Sequence, residues 1–395
     1  MGDIMKKVMF LQIKGKNYGG VWQVNKLVGE ALLKKGYDVS IISFRNDQND
    51  LDLKYDKRLN VMTINEVDIW RTYHLQDVIG ALKRGKIIET FNMLISRLKY
   101  NKIFKKDVKK LQNYIVSENP DYIVTSHYQL LDMIPKEYLS RTIHEQHSSF
   151  LDAINHKATR NILYKYNDKV KYLWLTNSTM KNAIKYGLKN NYYIYNAVRF
   201  KSEKAAAVVK NKKLIAISRL SEEKCIDKMI DIAEEIFSDN KFSDWNLEIY
   251  GDGEEYDSLL NKINNTKQIR LMGLTTDSKK ELLKASINLN TSKYEGFSLT
   301  ILEANECGVP TVTFNFGESA NEEIINNKTG IIALDREDYI KRLKKLMENN
   351  DSLISLSKNC KEFSKKFQIE NIVDDWIKLF NDIDRLNKYD CNERR

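Results

Sequence analysis

The stretch Ala285–Phe314 constrains the fold more than any other part of the chain. Its apolar run, Ala285-Ser286-Ile287-Asn288-Leu289-Asn290, has the length of a short strand. Tyr294-Glu295-Gly296-Phe297-Ser298 reads as a turn, and the pattern from Leu299 to Cys307 is helical. Gly308 and Pro310 stop that helix, and Thr311-Val312-Thr313-Phe314 begins another strand. Strand, glycine turn, helix and strand make one parallel βαβ unit. Ligands of open α/β sheets bind at the carboxyl ends of the strands, where this turn lies. Backbone N–H groups at the helix start suit an anion such as a phosphate.

Two carboxylates bracket the turn, Glu295 before the helix and Glu303 within it. Eight residues of helix advance roughly 12 Å, but Glu295 is in the turn, so both can converge on one bound molecule. The bland alternative for Glu303 is a solvated carboxylate on a helix otherwise lined by Leu299, Ile301, Leu302 and Ala304.

The same alternation runs through the rest of the chain. Strand Val8–Ile13 leads through Lys14-Gly15-Lys16-Asn17-Tyr18-Gly19-Gly20 into a helix from Val21 to Lys35, then strand Tyr37–Phe44. That loop is not GxGxxG, and no acidic residue closes the second strand, which argues against a dinucleotide site. Asp121–His127, Arg141–Ser149 and Tyr172–Leu175 are further strands ending on polar tips. Later come strand Leu214–Ser218 with the turn Arg219–Lys224 and a helix at Ile226–Ile236, then Leu247–Glu254 and Ile269–Gly273. Arg219 and Lys224 could close two cations on one diphosphate. Their alternative is two solvated charges in a chain with 64 Lys and Arg residues.

A chain of 395 residues suggests two domains of about 150 to 200 residues each. A hydrophobic content of 42% supplies sizeable cores, and a net charge of +10 fits an anionic partner. Cys225, Cys307, Cys360 and Cys391 are scattered without metal spacing and read as reduced thiols. The first apolar run is a strand rather than a signal peptide, and no run approaches a membrane-spanning length, so a cytoplasmic protein is expected. Between Asp77 and Leu111, Lys83, Arg84, Lys86, Arg97, Lys99, Lys102, Lys105, Lys106, Lys109 and Lys110 outnumber Glu89 and Asp107. Ile87, Ile88, Phe91, Leu94, Ile95 and Leu98 recur there at helical spacing. A helix touching an anionic membrane surface and an ordinary amphipathic helix with a solvated basic face both fit. No nucleic-acid motif is present, so nucleic acid is not an expected partner. Asp50-Leu51-Asp52 and Asp382-Ile383-Asp384 spell DxD but sit in polar or terminal stretches, and no metal site is expected from them. His127, His144, His147 and His156 fall within thirty residues, and no carboxylate completes a metal set with them.

Glu-Gly-Phe-Ser-Leu-Thr-x-x-Glu-Ala followed by Cys-Gly-Val-Pro resembles the E-x7-E signature of the family 4 retaining glycosyltransferases. Arg219 and Lys224 match that family's R-x4-K pair, and Ile249-Tyr250-Gly251-Asp252-Gly253 is similar to its "iyGdGp" element. Tyr195-Asn196-Ala197-Val198 looks like its "yNgv" segment, and Phe367–Phe380 resembles the tail that crosses back. The resemblance is dense from Ala216 to Phe380 and thin before that.

It implies an α/β, GT-B fold: two Rossmann-like, doubly wound domains facing across a cleft, with a C-terminal helix crossing back to the N-terminal domain. The expected division is 1–200 for an acceptor domain, 201–212 for a linker, 213–374 for a nucleotide-sugar-binding domain and 375–395 for the crossover helix and tail. The implied reaction is retaining, metal-independent and cofactor-free transfer from a nucleotide-sugar, with UDP favoured. The implied acceptor is a glycan, a teichoic-acid-like polyol-phosphate polymer, a lipid-linked molecule or a protein, in bacterial surface-glycan assembly. By the same resemblance Arg219 and Lys224 neutralise the diphosphate, with backbone N–H groups of Gly296, Phe297 and Ser298 adding to it. Glu295 holds sugar hydroxyls, Glu303 the ribose, and His147 (with His144 in reserve) the sugar's far edge. Gly19, Gly20, Gly251, Gly253, Met272 and Leu299 complete the donor-binding set. The rivals are a glycosidase, which needs an acid and a nucleophile carboxylate about 5 Å apart or a wider inverting pair, a phosphorylase with a pyridoxal-phosphate lysine, and a non-catalytic GT-B scaffold partnering an active enzyme.

Overall fold

The computed structural model describes residues 5–14, 19–45, 54–65, 75–263, 267–317 and 319–393. Its strands are β1 Lys7–Gln12, β2 Asp38–Arg45, β3 Asn60–Asn65, β4 Tyr122–Thr125, β5 Thr142–Gln146, β6 Lys171–Trp174, β7 Asn191–Tyr193, β8 Lys213–Ile217, β9 Asn246–Tyr250, β10 Ile269–Gly273, β11 Ile287–Asn290, β12 Thr311–Phe314 and β13 Gly330–Ala333. They form a seven-stranded sheet in the order β3-β2-β1-β4-β5-β6-β7 and a six-stranded sheet in the order β10-β9-β8-β11-β12-β13. Both begin with the doubly wound 3-2-1-4-5-6 order, whose direction reverses beside the first strand. Registers are parallel, for example Phe10 opposite Ile41 and Val124, and Ile215 opposite Glu248 and Asn288.

Strands covered on both faces read as near-continuous apolar runs. Val8, Phe10, Ile41, Ile123 and Val124 are buried in the first sheet, as are Leu214, Ile215, Leu247, Ile249 and Ile287 in the second. The helix Ile226–Phe237 covers the second sheet with Ile226, Met229, Ile230, Ala233 and Phe237, one face of a 3.6-residue period. Between β1 and β2 runs α1, Gly20–Lys34. The basic segment expected at 77–111 is two helices, α2 Leu75–Lys83 and α3 Ile87–Glu118, joined by a turn at Gly85.

The chain divides into two compact units. One comprises Met1–Glu145, Ala158–Tyr172 and Phe380–Arg395, the other Gln146–Lys157 and Leu173–Leu379, against the expected division at 201–212. The C-terminal helix Ile369–Glu393 starts in the second unit and ends in the first, as the crossover expectation required. In the first unit Phe380 stacks on Tyr122 with centroids 4.2 Å apart, and Asp384 takes Lys6 and the Tyr122 hydroxyl. Asp384 of the Asp382–Asp384 motif therefore serves this packing, while Asp382 accepts from Arg385 at 3.0 Å on the helix surface. Asp50-Leu51-Asp52 lies outside the described residues. The expected linker is packed rather than loose. Ser202 and Ala206 are buried, the Ser202 N–H donates to Glu306 at 2.7 Å, and Ala206 N–H donates to the Cys307 carbonyl.

Candidate functional site

The loops at the carboxyl ends of β8, β9 and β11, with the end of β10, hold most of the expected donor residues in the second unit, and the loop after β12 packs beside them. β8 and β11 are the neighbours between which the strand order reverses. Lys224, in the turn after β8, extends its Nζ to within 2.7 Å of Glu295 Oε1, in the turn after β11. Both side chains are largely buried, at 18% and 14% exposed, so the pair is shielded from water rather than a solvated surface contact. Ser292 Oγ donates to the same carboxylate oxygen at 2.8 Å, and Thr291 Oγ1 ties the turn to the carbonyls of Lys224 and Cys225. Ser319, after β12, donates to the Glu295 carbonyl at 3.3 Å. Arg219 is 67% exposed and pairs with Glu223, four residues on. The two cations of the R-x4-K pair therefore each face a carboxylate, and only Lys224 is joined to the E-x7-E turn.

Close backbone approach explains the glycines. A Cβ on Gly296 would stand 2.0 Å from the His147 carbonyl oxygen, so only glycine lets the two loops touch. His147, half-buried just past β5, is thereby set against the Glu295 turn. His144, the reserve candidate, is fully buried, with its Nδ1 3.0 Å from Thr125 Oγ1. Gly251 and Gly253 hold φ values of +151° and +157°, and a Cβ on either would strike the Ser218 or Leu220 carbonyl at 1.8 or 2.2 Å. The loop after β9 is thus pressed onto the loop after β8, with the Leu220 N–H donating to Asp252 at 2.9 Å. Met272, at the end of β10, is 42% exposed, and Leu299 opens the helix Leu299–Glu306 half-buried. Gly19 and Gly20 lie in the first unit, after β1, as the cap and first residue of α1. Residues 15–18 of that loop are outside the described set, as is Glu318.

One expectation needs correction, a second is narrowed to the backbone, and the bland alternative for Glu303 is excluded. The Ser298 N–H does not face an open anion site; it donates to Glu323 Oε2 at 2.9 Å. The Phe297 ring points into a core of Leu175, Val198, Leu302 and Phe367, so only its backbone can meet a ligand, and Asn196 Nδ2 lies 3.5 Å from its carbonyl. Glu303 is not a solvated helix residue, being 1% exposed. One of its oxygens pairs with Arg199, and the other accepts from Ser278 Oγ at 2.7 Å. Burial works against the Arg199 charge, yet the adjacent Glu303 carboxylate holds its pKa above the usual value.

Glu323, which the sequence does not single out, lies next to the Glu295 turn and accepts from the Ser298 N–H. It is wholly buried, and burial, followed by the negative charge of Glu295, pushes its carboxyl well above the ordinary range. The Ser298 and Ser319 hydrogen bonds and Lys224 oppose that shift. A carboxyl whose protonated form is favoured by burial thus sits beneath the E-x7-E turn. Its signal was the carboxylate pair Glu322-Glu323 one loop after β12, which nothing local distinguishes from solvated residues.

Residues 198–367 match the model of the family described as Glycosyl transferases group 1. An uncharacterized glycosyltransferase of Haemophilus influenzae is 24% identical over 386 residues, spanning 94% of this chain and 99% of its own. Poly(ribitol-phosphate) alpha-N-acetylglucosaminyltransferase of Staphylococcus aureus is 31% identical over 173 residues, which is 42% of this chain but 34% of the relative. In fold the chain is similar to a variant of S. aureus TarM crystallised with fondaparinux, alpha-GlcNAc-glycerol and UDP. The TM-score is 0.74 at 15% identity, over 95% of this chain and 100% of that one. Residues 198–367 are thus similar to the group 1 glycosyltransferases, and the chain has the two-domain α/β GT-B fold.

Proposed function

We propose that the chain is a retaining, metal-independent transferase of the family 4 type that uses a UDP-sugar. Its acceptor is a glycan, polyol-phosphate polymer or lipid-linked molecule of bacterial surface-glycan assembly. The buried Lys224–Glu295 pair carries this reading, because it links a cation for the diphosphate to a carboxylate for the sugar across the reversal point of the second sheet. UDP in the TarM complex and the polyol-phosphate acceptor named for the S. aureus relative support the choice of donor and acceptor.

In this reading the acceptor hydroxyl attacks the anomeric carbon on the face that the diphosphate leaves. The bond from that carbon to the phosphate oxygen breaks as the bond to the acceptor oxygen forms. The acceptor proton passes to a phosphate oxygen of departing UDP. Lys224 and Arg219 stabilise the charge that develops on the leaving group, Lys224 from a position where water is largely excluded. Glu295 holds sugar hydroxyls, His147 the sugar's far edge, Met272 a side of the base, and Glu303 the ribose through lone pairs left by Arg199 and Ser278. No cofactor takes part.

The first half of α3 supports work at the cytoplasmic face of a membrane. Ile87, Ile88, Phe91 and Leu98 are 73%, 79%, 63% and 69% exposed, amid Lys83, Arg84, Lys86, Lys99 and Lys102. Among the described residues no helix is long and apolar enough to cross a membrane. An apolar stripe edged by cations matches an interfacial helix on anionic lipid.

Calorimetric titration with UDP in EDTA tests the donor site. Wild-type protein is expected to bind with undiminished affinity, and Lys224→Met to bind at least tenfold more weakly. Binding that needs added divalent metal, or is untouched by Lys224→Met, would overturn the reading.

A further inference from the structure

The first unit contains a cavity of about 660 Å3, inside the range of small-ligand sites, roughly 300–1,000 Å3. It lies at the carboxyl ends of β1 and β2, where Ile13, Phe44 and Arg45 line it. On its α3 side two neighbouring stripes follow the three- and four-residue helical spacing. One is Tyr100, Phe104 and Val108, the other Lys105, Lys109 and Gln112. Tyr100 and Phe104 stack with centroids 5.8 Å apart, and Tyr128 and Gln129 join the lining from the turn after β4.

The charge in this cavity is positive. Arg45 is 3% exposed, donates to the Tyr100 hydroxyl at 2.5 Å, and sits over the Phe44 and Tyr100 rings. Lys105 and Lys109 are exposed and form no ion pair among the described residues. Asp132 is the acid in the lining, and its Oδ1 already accepts from Lys165 at 2.5 Å and Tyr166 at 2.8 Å. Cations beside flat rings and neutral amides suit a ligand that joins a phosphate to a hydroxylated carbon skeleton. A cation would meet Lys105 and Lys109, which no described carboxylate pairs, while Arg45 has Asp107 near it.

We propose that this cavity is the acceptor subsite for a phosphate monoester or diester carried on a sugar or polyol. The proposal rests on the reading of the chain as a UDP-sugar transferase and narrows its acceptor to a phosphate-bearing one. Lys105, Lys109 and Arg45 take the phosphate. Tyr100, Phe104 and Tyr128 lie against the carbon skeleton, and Gln112 and Gln129 meet its hydroxyls.

The test is calorimetric titration of the full chain with glucose 6-phosphate and diglycerol phosphate, against glucose, glycerol and inorganic phosphate. Both phosphorylated probes are expected to bind at least tenfold more tightly than the neutral ones. In Lys105→Gln/Lys109→Gln, two exposed positions, that advantage should largely vanish while UDP affinity stays within twofold. Equal binding of neutral and phosphorylated probes, or an advantage that survives the double substitution, would overturn the proposal. Inorganic phosphate binding as tightly as the phosphorylated probes would overturn it too, marking an adventitious ion only. Failure of the wild-type chain to bind UDP is a separate result that sinks the transferase reading instead.

Discussion

Glu323 and Glu303 show how single buried carboxyls tie together the candidate site. The raised pKa of Glu323 means that the folded chain keeps a proton which the unfolded chain has released. Its contribution to stability is therefore complete below the ordinary carboxyl pKa and is lost as pH rises toward the folded value, by about 1.4 kcal/mol per unit of displacement. Glu323→Gln copies the protonated form and still accepts from the Ser298 N–H. The variant should gain stability over wild type at pH 8 and show little difference at pH 4, read from paired thermal melts. An equal difference at both values would mean that Glu323 is ionised in the fold. Glu303→Ala strips Arg199 of its partner, and breaking a buried pair costs about 3–5 kcal/mol. Urea unfolding should show that loss together with weaker UDP binding. Unchanged stability with lost UDP affinity would make Glu303 a ligand contact and not a structural tie.

At the scale of elements, α3 divides along its length. Its second part carries Leu111 and Ile115 into the core and lines the cavity, while its first part leaves a row of large apolar side chains in solvent. Removing exposed apolar groups hardly changes folding, so Ile87→Ser/Ile88→Ser/Phe91→Ser should shift stability by less than about 0.5 kcal/mol. Sedimentation with vesicles containing anionic lipid should nevertheless fall at least tenfold, and wild-type binding should weaken in salt. Wild-type binding that ignores lipid charge, or survives the triple substitution, would remove the membrane from the account. The loops behave oppositely: glycines with no room for a Cβ let the loop after β9 abut that after β8, and the loop after β11 abut that after β5.

For the whole molecule, the C-terminal helix is the longest of the described elements that pass from one compact unit into the other. Its last turns are fastened to the first sheet by Phe380 on Tyr122 and by Asp384 with Lys6. Phe380 is fully buried, so Phe380→Ala should cost about 3–5 kcal/mol, seen as a lower midpoint of thermal unfolding. A midpoint unchanged within a degree would show that the stack holds nothing in place.

What could be read in the chain alone was what periodicity and local motifs encode. β10 and β12 fall on their expected residues, and β1, β2, β4, β8 and the helix Leu299–Glu306 lie within a residue or two at most ends. Covered parallel strands and amphipathic helices carry their burial in their own apolar pattern. β3, β7 and β13 were missed: β7 and β13 are three and four residues long and β3 is half-exposed, so their runs resemble loops. The E-x7-E and R-x4-K residues were visible as spacing, but their partners were not. Arg199 meets Glu303 across 104 positions and Glu323 meets Ser298 across 25. Which carboxylate answers which cation, which histidine is buried, and which amide is already used depend on the loops that the two sheets bring together. No local pattern encodes those contacts, because each is decided by chain segments distant in sequence, and only the folded packing could place them.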